Sequence, residues 1–151
     1  MGIKAKIIAS KKLGCKFQKK VIIARALAQE QQVLLLDEPI SNLDIKHQLE
    51  VLGIIRSVVK EKRIAAVIAI HDLNLASRFS DKIILLYRGR IYDAGEPTKV
   101  LTKENIRAVY GVDVEINNNS GVPYIVPIAP VIRRGGRSFE KTSHRGEKVL
   151  L

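Results

Sequence analysis

Apolar residues along the chain fall into segments of two alternating kinds. Between Gln18 and Gln29 (QKKVIIARALAQ), Val21, Ala24, Arg25 and Ala28 recur at helical spacing and share one face. Val33 to Leu36 is a short run with no polar break, as suits a strand buried on both faces. Asp44 stands where an N-cap belongs, ahead of a helix running through about Glu61 with Leu49, Leu52, Ile55, Val58 and Val59 as its buried stripe. Ile64 to Ile70 is a second apolar run, and Asp72 is placed to cap a short helix from Leu73 to Phe79. Ile83 to Tyr87 predicts a strand, Arg88-Gly89-Arg90 a hairpin turn and Ile91 to Ala94 the returning strand. Two short helices are expected at Pro97 to Leu101 and Lys103 to Tyr110. The cluster Asn117-Asn118-Asn119-Ser120-Gly121 predicts a turn between strands at Val112 to Ile116 and Tyr124 to Ile128. This order of elements predicts an α/β fold, with a parallel-sheet core followed by a small antiparallel C-terminal appendix.

Charge changes the picture only at the ends. The net charge is +11, but residues 1–20 hold seven lysines and no acid, and residues 128–151 hold six Lys/Arg against Glu140 and Glu147. The intervening stretch balances thirteen bases with thirteen acids. The excess therefore describes two tails, and with four Tyr, three Phe and no Trp the chain is poorly supplied with stacking platforms for single strands. No nucleic-acid partner is expected. From about Pro130 the composition turns rich in Arg, Lys, Gly and Ser and predicts a disordered tail. Cys15 is the only cysteine, so no internal disulfide can form and a reducing compartment is expected. No apolar run reaches the ~18 residues that a membrane-spanning helix needs.

The sharpest chemical feature is Val33-Leu34-Leu35-Leu36-Asp37-Glu38-Pro39. Two carboxylates at the C-terminal end of a buried parallel strand sit where open α/β sheets place ligands. One can hold the water shell of a Mg²⁺ on nucleotide phosphates, and its neighbour can orient or deprotonate an attacking water. Acids at a strand end are also an ordinary loop entry, so the surroundings decide. Ser41-Asn42-Leu43-Asp44 follows directly, and the next apolar strand runs into His71 (IAIHDLNLA). His47 and His144 have no evident partner in the sequence.

In order and spacing these residues resemble the second half of an ABC-transporter nucleotide-binding domain. LLLDEP is similar to the Walker B segment with its catalytic glutamate, SNLD to the D-loop and IAIHDLNLA to the switch-histidine segment. The stretch GRIYDAGEPTKVLTKENIRAVYGVDVEI further resembles the importer class that serves ferric siderophores, haem and cobalamin. The resemblance implies a P-loop ATPase working as a head-to-tail dimer on a membrane permease subunit, at the cytoplasmic face of the cell membrane, with ATP and Mg²⁺ between the two ATPase subunits. It implies that Asp37 is the Mg²⁺-associated carboxylate, that Glu38 polarises the attacking water and that His71 contacts the γ-phosphate. Ser41 and Asp44 would belong to the nucleotide-binding set, with Asp44 at the subunit interface.

The resemblance covers roughly residues 18–128, leaving a basic segment at 1–17 and a basic tail at 129–151. Within the sequence there is no G-x-x-x-x-G-K-[ST], the loop whose backbone N–H groups, Lys and hydroxyl hold phosphates and Mg²⁺. The positions expected for the signature motif read Leu13-Gly14-Cys15-Lys16-Phe17, where only Leu13 matches LSGGQ. The expectation is thus a partial P-loop domain, with little ATPase activity alone and an unpaired sheet edge where the strand leading into the phosphate loop would lie. An alternative is a non-catalytic module that docks on a permease or on a complete ATPase subunit.

Overall fold

The computed structural model describes residues 5–9, 32–118, 121–132 and 149–150. The helix expected over Gln18 to Gln29, the signature positions 13–17 and the tail beyond residue 132, apart from the short strand 149–150, lie outside them. The chain divides into two compact units, one reaching to Ile70 and the other beginning at His71.

In the first unit, strands β1 (Ala5–Ala9), β2 (Val33–Asp37) and β3 (Ala65–Ile70) run parallel, with β2 in the middle. Ala5 lies opposite Val33, and Val33 opposite Ala65. β2 therefore has a hydrogen-bonded neighbour on each side, which corrects the expected bare edge: the segment ahead of residue 18 supplies a strand there. Leu34 and Leu36 are buried while Val33 and Leu35 are half-buried, so the unbroken apolar run still shows the two-residue alternation of a strand.

Helix α1 (Ile45–Lys62) begins at the expected cap, where the Asp44 side chain accepts from the His47 N–H. Val51, Leu52 and Ile55 are its buried residues. Leu49, Val58 and Val59 are half-buried, so the buried stripe is narrower than predicted, and it includes Val51, which the sequence pattern missed. Arg63 ends the helix in the left-handed conformation (φ 52°), its N–H donating to Val59 O, at a position glycine usually fills.

The second unit opens with α2 (Leu73–Phe79), capped by Asp72 as predicted. β4 (Ile83–Tyr87) and β5 (Arg90–Gly95) form an antiparallel hairpin in which Tyr87 pairs with Arg90. The turn is thus two residues, Arg88 and Gly89, both at positive φ (50° and 75°), and Arg90 is already in the strand. Such a turn matches the twist of the flanking strands. The short helices α3 (Pro97–Val100) and α4 (Lys103–Tyr110) follow, the second stopping at Gly111 in the left-handed conformation. β6 (Val112–Asn117) and β7 (Tyr124–Pro130) then pair antiparallel, with β7 reaching two residues past the expected Ile128. Ala76, Ile83, Leu85, Val100, Leu101, Ile106, Val109, Val114 and Ile125 make the core of this unit.

Candidate functional site

The parallel register sets Asp37, the last residue of β2, opposite Ala69 of β3. One residue on, the Glu38 N–H still donates to Ala69 O at 3.1 Å, so the chain stays pinned to β3 after the strand has ended. At that point the backbone turns into the left-handed region, with Glu38 at φ 49°. A residue with a Cβ rarely sits there, at a cost on the order of 1–2 kcal/mol. The turn redirects the chain straight after two consecutive carboxylates, both half-buried.

What holds the turn is local. Ser41 donates twice to Glu38 O, from its N–H (3.2 Å) and from Oγ (3.0 Å). Pro39 and Ile40 are buried and anchor the loop, and the Leu43 N–H reaches Ile40 O at 3.3 Å. Asn42 is a second residue at positive φ (60°), a conformation asparagine tolerates better than most. The loop then delivers Asp44 to the N-terminus of α1, where Oδ1 accepts from the His47 N–H at 3.0 Å. The His47 ring Nδ1 also meets this oxygen. Sequence reading gave His47 no partner; the available signal was its spacing of three residues from a capping aspartate, where side chains meet on a helix.

Asp37, Glu38, Ser41 and Asp44 thus lie in one eight-residue stretch of the first unit. His71 does not: it follows β3 directly, is exposed, and is the first residue of the second unit. Among the described residues no three His, Cys, Asp or Glu side chains gather as a metal cage, and no helix is long and apolar enough to cross a membrane. Adjacent carboxylates without a cage are a donor set that fits Mg²⁺, which binds through one or two carboxylates together with water and substrate phosphates.

No family model matches the chain. Individual proteins do. It is 58% identical over 109 residues, 72% of its length, to an uncharacterized ABC transporter ATP-binding protein of Methanocaldococcus jannaschii, and covers 42% of that protein. It is 41% identical over 127 residues, 84% of its length, to the cobalamin import ATP-binding protein of Halobacterium salinarum, and covers 32% of it. Proteins named for petrobactin and hemin import are also similar. Among solved structures, a metal-chelate type ABC transporter in an inward-facing conformation matches with a TM-score of 0.66 at 28% identity, over 77% of this chain and 47% of that one. The chain spans less than half the length of these relatives.

Proposed function

The chain belongs to the ATP-binding proteins of ABC transporters, importer class, whose C-terminal half it matches, and on that footing we propose that it carries the acidic half of the nucleotide site of an importer for iron chelates, haem or cobalamin. The observation that carries this is the turn at Glu38: a left-handed residue, tied to β3, immediately after the strand-end Asp37. Backbone strain of this kind collects at functional sites, and nothing in the packing of an ordinary loop entry calls for it.

In this proposal Asp37 would hold Mg²⁺ through water, and the ion, when bound, would supply positive charge against the phosphates. Glu38 orients an attacking water and takes its proton. Ser41 fixes the turn that aims Glu38. Asp44 faces the second ATPase subunit of a dimer, and His71 contacts the γ-phosphate. The assembled protein works on a membrane permease at the cytoplasmic face.

The 151 residues contain no phosphate-loop motif, and Lys16 and Phe17 stand at signature positions where a close backbone approach to phosphate is needed. We therefore expect the chain alone to bind Mg-ATP weakly and to hydrolyse it little. Calorimetric titration with Mg-ATP tests the expectation; a low-micromolar dissociation constant would sink it.

A further inference from the structure

We propose that Asn74 is a positioning residue for His71, clamping the segment that carries it onto the C-terminal hairpin. The Asn74 carboxamide makes two hydrogen bonds to the backbone of one residue 51 positions away: Nδ2 donates to Ile125 O at 3.1 Å, and Oδ1 accepts from the Ile125 N–H at 2.7 Å. In an antiparallel strand the N–H and C=O of a given residue point to the same side. Those of Ile125 are both taken by Asn74, so the amide stands along β7 as one rung of an additional strand would. Only a side chain with a donor and an acceptor side by side can do this, which means Asn or Gln, and the partners fix which way the amide faces.

The Ile125 side chain is buried at 3% exposure, so the clamp closes onto a fixed part of the core. At the other end it joins a helix whose start is itself fixed. Asp72 Oδ1 accepts from the N–H groups of Asn74 and Leu75, both at 2.9 Å, and the Ala76 N–H donates to Asp72 O at 2.9 Å. Ala76 and Ser77, both small, are the buried residues of α2. His71 precedes Asp72 by one residue, so its backbone direction is set by this cap, and the cap is held to β7 by Asn74. The hairpin is thereby a support for the histidine segment, with a residue between them that the sequence reading left without a role. Calling His71 catalytic rests on the function proposed above; the clamp and its effect on the His71 ring do not.

The test is NMR on the full chain without nucleotide, comparing wild type with Asn74→Ala and Asn74→Asp. In Asn74→Ala the Ile125 amide should exchange about tenfold faster or more, since its partner is gone. The His71 ring ¹H–¹³C resonance should move and broaden, while the Leu52 and Ile55 methyl signals of the first unit stay in place. Asn74→Asp keeps the acceptor for the Ile125 N–H and loses the donor, so both readouts should fall between wild type and alanine. An Ile125 amide that exchanges freely while the His71 resonance is unmoved would overturn the proposal, as would an unchanged exchange rate. Should the alanine variant fail to fold, the same two readouts in Asn74→Asp decide. Because no nucleotide is present, loss of a phosphate role for His71 would leave this result standing, and the reverse also holds.

Discussion

Single residues in this chain are held by caps and turns, and two of them give direct tests. Asp44 accepts from the His47 N–H at the start of α1 and also meets the His47 ring. Replacing it with alanine leaves an orphaned N–H at the helix end, so Asp44→Ala should lower stability by about 1 kcal/mol in urea unfolding. Asp44→Asn, which keeps an accepting oxygen, should recover most of that. Arg63 is the opposite case, a left-handed residue at the end of the same helix where glycine is the usual choice. Arg63→Gly relieves strain but loosens the unfolded chain, and the net should be a gain of roughly 0.5 kcal/mol. Asp44 was legible as a cap from sequence because the residue type and the onset of the apolar period coincide. Arg63 was not, since nothing about an arginine announces a positive φ.

At the scale of elements, apolar periodicity located the described helices and strands between residues 33 and 130 to within a residue or two, but missed the strand at 149–150, in a tail whose composition predicts disorder. Burial was read less well. In α1 the pattern pointed to Leu49, Leu52, Ile55, Val58 and Val59; Leu52 and Ile55 are buried, Leu49, Val58 and Val59 are half-buried, and the buried Val51 was missed. Several apolar faces compete on a helix that carries this many branched residues, and only the opposing surface decides between them. Leu52 is 1% exposed and Ile54 is 39% exposed, so truncation should separate them. Leu52→Ala should cost about 2–4 kcal/mol, and Ile54→Ala less than about 1. Equal losses in thermal melts would mean that the helix packs by another face. The carboxylate turn was only half legible. Asp37 and Glu38 stood out as a pair, but the bond from the Glu38 N–H to Ala69 O is made by β3, about thirty residues further on, and no local pattern encodes it.

For the molecule as a whole, β1 matters most to solubility. Because Ala5–Ala9 pairs along β2, removing residues 1–9 should expose a row of unpaired N–H and C=O groups on an apolar strand. The truncated chain should self-associate, and more so at high salt, where the charge of the basic ends is screened. Size-exclusion chromatography with light scattering across a salt series checks this; a monodisperse monomer at high salt would show that β2 needs no partner on that side. Family and fold were legible because three short motifs occur in order on predicted strands and loops. The strand ahead of β2 was not, since its short length and its place in a lysine-rich segment hid a pairing that only tertiary structure supplies.

The central claim is that the turn after β2 is the acidic half of an ATPase site with Glu38 as its base. It is tested most directly by ATP turnover of the chain mixed with the phosphate-loop half of a matching importer ATPase. Glu38 intact and Glu38→Gln are compared, and nucleotide binding is followed in parallel. Glutamine keeps the shape and the hydrogen bonding and removes the basic carboxylate. Turnover should therefore fall by roughly 10²-fold or more while binding is kept. Equal turnover with glutamate and glutamine at position 38 would contradict the assignment.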